Sequence, residues 1–288
     1  MTTEPIRHLA SGSGPGTLLE IAPEAVGWKY VSSAVVALAP GEEHRGDTGP
    51  NEVAVVPLSG TARFEFAGQT HTVSRRDVFT DMPHVAYLPP RTAYVITAVG
   101  AFEFASGGVP AEGRYPARLF SPDEMPSSVR GGANVSRGVT GTLDLSLPAE
   151  RLLAYEIVTP SGNWSSWPPH RHDGTNGTSY HEETYYFRLQ PRDGFAIQRI
   201  YSPESDLDLT FCARDGDLIL VHEGYHTVAA APGTNAYYLN FLGGDVRPVR
   251  QYIDPAYAWV AEDWEGKPAG IPVGGPESTS RQMSQGTR

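Results

Sequence analysis

Three short stretches of this chain carry side chains suited to holding a metal ion: WPPHRHD at residues 167–173, HEETYYF at 181–187 and EGYH at 223–226. His170 and His172 stand one residue apart behind a Pro-Pro corner. In an extended chain alternate side chains project from the same face, so the two imidazoles converge while Arg171 turns away. Adding a carboxylate from a neighbouring strand and His226 gives three imidazoles and one carboxylate, a donor set that suits a borderline divalent ion. Strand parity chooses the carboxylate. Glu183 shares a face with Tyr185, Phe187 and Leu189, whereas Glu182 goes with Thr184, Tyr186 and Arg188. The first set is the more apolar and is expected to line an interior, so Glu183 is the expected ligand. His226 opens a strand and shares its face with Val228 and Ala230, which makes it the third histidine. His181 is read as a loop residue, His222 as a solvent-facing turn residue and Cys212 as a small core residue.

The elements that must position these groups are short strands. Runs of four to eight residues rich in Val, Ile, Tyr and Phe recur about every ten residues, punctuated by Gly, Pro and Asp-Gly turns, and no segment of helical length keeps a 3.6-residue period. This grammar predicts a sandwich or barrel. Residues 28–38, 53–60, 61–66, 85–88 and 152–158 are expected strands, with another starting at Asp77; residues 159–170 are expected to be a loop leading down to the histidines. Residues 121–142 hold few apolar side chains and read as a connection between two halves. RRDVF at 75–79 and RDGDLILV at 214–221 give a weak internal similarity, consistent with a duplicated barrel. The expected division is a first barrel over 1–130 without a metal site, a second, metal-binding barrel over 131–265, and a flexible tail over 266–288. In the first barrel, past the lead-in, His44, His71 and His84 form no H-x-H pair.

A net charge of −11 with no basic run argues against nucleic acid and anionic membranes as partners. It also means that an acidic substrate must be met by a local cation. Arg199, on the face of Phe195, Ile197 and Tyr201, is the expected clamp for a carboxylate, through its bidentate guanidinium. A single cysteine allows no disulfide within the chain, the opening residues carry no apolar signal core, and no apolar run is long enough to span a membrane. The expectation is a soluble, cytoplasmic protein.

Gly162, His170, His172, Glu183, Gly194 and the run from Gly216 to His226 resemble the two signature motifs of the cupin superfamily, with a longer gap between His172 and the glutamate. A more detailed resemblance covers residues 150–245. The blocks GNWSSWPPHRHD from Gly162, EETYY from Glu182, GFAIQRIY from Gly194, RDGD from Arg214, EGYHTVAAAPG from Glu223 and YYLN from Tyr237 are similar to the 5-deoxy-glucuronate isomerase family of myo-inositol catabolism, which is related to the 5-keto-4-deoxyuronate isomerases. The resemblance implies an all-β bicupin of two jelly-roll barrels. It implies an aldose–ketose isomerase converting 5-deoxy-D-glucuronate to 2-deoxy-5-keto-D-gluconate through an enediol(ate), assisted by one divalent metal: zinc first, manganese or iron as alternatives. Glu156 and Tyr238 are candidates for proton transfer, and Arg199 and Asn240 for holding the sugar acid. The alternatives are a 5-keto-4-deoxyuronate isomerase, a metal-dependent dioxygenase and a non-catalytic sugar-binding cupin. The oligomeric state, including a homo-oligomer, is left open.

Overall fold

The computed structural model describes residues 8–264. The expected tail at 266–288 and the first seven residues of the lead-in lie outside the described residues. Among those described, the chain is built from strands in three sheets, with one short α-helix, Trp259–Trp264. No helix among them is long and apolar enough to cross a membrane.

A nine-stranded sheet system holds the strands from Gly16–Ile21 to Arg118–Phe120 and forms the first barrel. Its backbone is Asn51–Phe66, one long strand where the sequence suggested two. The interruption is present as a register shift between Pro57 and Ser59, with Gly60 at φ +94° turning the strand from one sheet partner to the next. Residues from Asp77, expected as a strand, form a turn instead, because the Asp77 carboxylate accepts the N–H groups of Phe79 and Thr80. The interior of this barrel is filled by Phe64, Phe66, Phe102 and Phe104 with aliphatic neighbours.

The second barrel closes a seven-stranded sheet over a five-stranded one. The seven-stranded sheet runs in the order His8–Leu9, Leu218–Val221, His181–Gln190, Asn235–Gly244, Leu153–Thr159, Arg137–Leu143, Ser127–Arg130. The five-stranded sheet runs Asp208–Ala213, Ala196–Tyr201, Tyr225–Ala230, Trp164–Arg171, Tyr252–Ile253. Two assignments differ from the sequence reading. Ser127–Arg130, placed in the first half, pairs with Arg137–Leu143 of the second. The expected loop before the histidines is mostly the strand Trp164–Arg171, paired to Tyr225–Ala230 with a shift between Ser165 and His170.

The central strands of the seven-stranded sheet are buried on both faces. One face, with Tyr185, Phe187, Ile219 and Tyr238, lines the second barrel's interior. The other, with Ala154, Tyr186, Leu220, Tyr237 and Phe241, packs on Val31, Val56, Tyr87 and Phe120 of the first barrel. Two carboxylates pin this interface reciprocally. Glu182, fully buried, accepts the backbone N–H groups of Lys29, Tyr30 and Val31 at 2.7–2.9 Å. Glu52, fully buried on the first barrel's long strand, accepts those of Glu150, Arg151 and Leu152 at 2.6–2.8 Å, and the Tyr87 hydroxyl at 2.9 Å. This explains why the predicted strand from Trp28 begins only at Ser32: its first amides serve Glu182 rather than a ladder.

Removing either carboxylate strands three backbone donors, each costing about 1–3 kcal/mol when left unsatisfied. Glu52→Ala and Glu182→Ala should each lower unfolding stability by at least about 3 kcal/mol in denaturant titrations; a change below about 1 kcal/mol would show that water replaces the carboxylate.

Candidate metal centre

The four residues singled out by spacing and parity meet at one end of the second barrel. His170 pairs directly with His226 across the ladder between Trp164–Arg171 and Tyr225–Ala230, so their side chains share a face. One ring nitrogen from each of His170, His172 and His226 lies within 4.8 Å of the others. Glu183 projects from the opposite sheet, its Oε2 3.0 Å from His172 Nε2 and 3.3 Å from His226 Nε2. The latter contact lacks hydrogen-bond geometry, and His226 Nε2 is a buried nitrogen with no other partner. A buried nitrogen with an unused lone pair, beside two more imidazoles and a carboxylate, fits a bound divalent cation.

The electrostatics of the cluster are set by its burial and its one carboxylate. Burial, reinforced by the other imidazoles, pushes His170 well down, so it stays neutral. Burial also lowers His172, but the hydrogen bond and charge of Glu183 outweigh it and leave its pKa raised. Burial alone would raise Glu183; the hydrogen bond from His172 and the proximity of the His172 and His226 imidazoles prevail and hold it well below the carboxylate range. The Nδ1 of His172 faces the His181 carbonyl at 3.2 Å, which orients the ring so that Nε2 points into the site. His181 is therefore a buried strand residue behind a candidate ligand, not a loop residue. Arg171 does turn away: it is bound by Asp173 and Glu204 and lies over the Tyr225 ring.

The centre opens into a cleft of about 460 Å³. Tyr238 and Asn240 both line it. Tyr238 donates to Ser165 Oγ at 3.0 Å and lies 3.4 Å from Ser166 Oγ, while Asn240 is held by its amide on the Thr184 carbonyl at 2.8 Å. Burial raises the pKa of Tyr238, and that of Tyr185 well above its usual value, so both phenols remain protonated.

Two expected site residues are elsewhere. Glu156 lies on the other face of Leu153–Thr159, where Arg75 of the first barrel binds it through two hydrogen bonds of 2.7 and 2.9 Å and Tyr237 donates to it at 2.6 Å. It is an inter-barrel ion pair, buried on both sides. Its neighbour Tyr155 is the one that lines the cleft. Arg199 is also one position out of phase. Ala196, Gln198 and Ile200 are buried inside the barrel, while Arg199 faces outward and pairs with Asp208 at 2.8 Å. Apolar neighbours misled the parity argument, because Phe195 on that face is itself 40% exposed. Cys212, likewise, is exposed rather than in the core. His222 is not solvent-facing: it packs edge-on against Trp28 at 6.0 Å.

Sequence reasoning missed a whole wall of the cleft. Arg130, Gly131 and Arg137 come from the segment read as a connection, and Val260 and Ala261 from the short C-terminal helix. The low apolar content of residues 121–142 hid the fact that a cleft wall, unlike a core, needs polar groups.

Comparison with known proteins agrees with this geometry. A family model described as the KduI/IolB family matches residues 6–260. The chain is similar to the 5-deoxy-glucuronate isomerase of Geobacillus kaustophilus, 41% identical over 257 residues, which span 86% of this chain and 91% of the relative. It is 39% identical over 264 residues to the enzyme of the same name from Geobacillus thermodenitrificans, spanning 89% and 96%. Among solved structures, an IolB-like protein from Salmonella typhimurium superposes with a TM-score of 0.85 at 34% identity, over 88% of this chain and 98% of that one. The oxalate decarboxylase of Lactobacillus farciminis, at 11% identity and a TM-score of 0.62 over 85% and 88%, shares the fold.

The turn that delivers His226 carries its own pH dependence. Burial lowers His222 from 6.5 to about 4. The unfolded chain therefore binds more protons between those values, so the stabilisation is complete above about pH 6.5 and is lost as pH falls toward 4. The unfolding midpoint of His222→Phe should fall less steeply between pH 7 and 4.5 than that of the parent; parallel slopes would contradict the assignment.

Proposed function

The chain belongs to the KduI/IolB family, and from this premise we propose that it is a 5-deoxy-glucuronate isomerase, converting 5-deoxy-D-glucuronate to 2-deoxy-5-keto-D-gluconate in inositol catabolism. The observation that carries the reading to a site is the cluster of His170, His172 and His226 facing Glu183 at the base of an open cleft. These four residues would hold one divalent ion. Three imidazoles and a carboxylate suit zinc first, and manganese or iron as well. When bound, such an ion supplies Lewis acidity toward carbonyl and hydroxyl oxygens.

Around the ion, the chain's own groups bind and orient the substrate and meet the charge that develops on its oxygens. An aldose–ketose isomerisation moves a proton from the carbon beside the carbonyl to the carbonyl carbon, and negative charge develops on oxygen between the two steps. Tyr238 and Tyr185 present neutral hydroxyls at the cleft, bridged by Ser166. Because burial keeps both phenols protonated, they serve the developing oxyanion as hydrogen-bond donors rather than as bases, Tyr238 by turning its O–H from Ser165 Oγ toward the substrate. Asn240, locked on the Thr184 carbonyl, offers a fixed amide oxygen toward substrate hydroxyls. Trp167, packed edge-on against Trp164 and tilted against Tyr257 at ring distances of 5.1 and 5.2 Å, lines the cleft as an apolar wall.

Purified protein loaded with zinc, manganese or iron should convert 5-deoxy-D-glucuronate without oxygen, followed by NMR, and lose that activity on chelation. His226→Ala should lose most bound metal as well as turnover. An unchanged substrate with every metal would sink the isomerase reading, and a strict oxygen requirement would replace it with a dioxygenase. Tyr238→Phe should lower kcat by about 100-fold, the usual loss for one oxyanion donor, with metal content unchanged; a full kcat would remove Tyr238 from the chemistry.

A further inference from the structure

Arg171 and Asp173 belong to the same run, 167–173, as His170 and His172, yet neither lines the cleft. Both side chains are buried, 5% and 4% exposed. Arg171 is the last residue of the strand Trp164–Arg171, so His172 stands just beyond the point where that ladder ends. His226 is the second residue of its own strand and follows a turn. Two of the three imidazoles therefore sit at strand ends, where backbone pairing fades and a side chain must take over the positioning.

The carboxylate of Asp173 spans the two ends. Nε and Nη2 of Arg171 donate to its Oδ2 at 2.9 and 2.7 Å, and the Gly224 N–H donates to the same oxygen at 2.9 Å. One carboxylate thus ties the end of the strand that carries His170 to the turn that delivers His226. Gly224 has φ +80°, and a Cβ there would lie 2.7 Å from the Tyr201 carbonyl oxygen, so the turn seats in this position only with glycine. Its carbonyl faces His226 Nδ1 at 3.4 Å. A carbonyl can only accept, so this contact puts the proton on Nδ1 and leaves the Nε2 lone pair directed at the cluster. On the other side of Asp173, the His172 carbonyl accepts the His181 N–H at 2.8 Å, and the His181 carbonyl orients His172 Nδ1. The partners of Arg171 are unequal. Glu204 is 58% exposed, and its ion pair is screened by water, whereas Asp173 is buried and doubly bonded. The guanidinium also lies 4.9 Å above the ring of Tyr225, the residue between Gly224 and His226.

We propose that Asp173, locked by Arg171, is a positioning residue of the metal centre: it holds the Gly224 turn against the end of the histidine strand, and so sets the spacing and ring orientation of His172 and His226. The inference rests on the metal site of the isomerase reading and is independent of the substrate. Asp173 touches no ligand nitrogen. It acts through the backbone that presents two of them, as partners that orient ligating histidines do.

The test uses full-length protein, with zinc affinity measured by competition with a chromogenic chelator and the visible absorption of the cobalt-loaded protein as a second readout. Asp173→Ala should bind zinc about 30-fold more weakly, inside the range found for such partners, and should shift the cobalt bands. Asp173→Asn keeps an oxygen for the Gly224 N–H and should recover part of the affinity, while Arg171→Met should lose about tenfold. Asp208→Ala breaks the outward pair with Arg199 on the neighbouring strand and should leave both readouts unchanged. Zinc affinity of Asp173→Ala within about threefold of the parent, or an equal loss in Asp208→Ala, overturns the proposal. Should Asp173→Ala fail to fold, Arg171→Met decides: parental affinity and an unshifted cobalt spectrum overturn it. A parent that binds neither metal refutes the metal centre and the proposal together, whereas a parent that binds metal but leaves 5-deoxy-D-glucuronate unchanged sinks only the isomerase reading.

Discussion

The structure depends on a sheet buried on both faces. Every residue from His181 to Phe187 is buried, so adjacent side chains serve different compartments. Glu182 and Glu183 show what that demands. Both are carboxylates withdrawn from water, and each must be satisfied where it points. Glu182 is satisfied by three amides of the first barrel, Glu183 by two imidazoles of the second. A shift of one residue in register would put an unpaired carboxylate into each compartment, so the two pin the strand's register more strongly than apolar alternation alone could.

That constraint also gives the first barrel its part. Its own interior is closed by phenylalanines, and its long strand has Val53 next to Glu52, where the second barrel has Glu183 next to Glu182. Glu52 and Glu182 play the same role from opposite sides of the interface, each binding three successive amides of the other half. The barrels share the docking carboxylate and differ in the residue beside it. Arg75 adds a buried charge pair with Glu156 across the same interface, an arrangement whose worth lies in its completeness: either group alone would be a charge stranded in a low-dielectric layer. The first barrel thus supplies the dry backing against which the site-bearing sheet is held.

Where the sequence was legible, two independent patterns agreed. His170, His172, Glu183 and His226 were each marked by chemistry as well as by alternation, and Tyr238 and Asn240 follow from the phase of one strand. Where it was not, a single pattern had to decide. Glu156 and Arg199 sit among apolar neighbours on strands whose inward face was guessed from those neighbours. In a doubly buried sheet both faces are apolar, which is why Ala154 and Val158 flank an inter-barrel glutamate. On the outer sheet Phe195 is partly exposed, which is why it and Ile197 flank an outward arginine. Hydrophobicity reports burial, and here burial does not identify the compartment.

The cleft wall from the inter-barrel connection was hidden for the complementary reason. Core elements announce themselves by period, but a wall that meets a polar ligand needs exposed backbone turns, glycine and charge, the same composition as a solvated linker. Arg130, Gly131 and Arg137 read as a linker until the pairing of Ser127–Arg130 with Arg137–Leu143 lays them along the cleft. Carrying this wall on a segment that packs little apolar surface has a physical consequence. Its strands form the edge of the seven-stranded sheet, three strands from the one that carries Glu183, so the lining of this wall and the arrangement of the histidines are separable properties of one barrel.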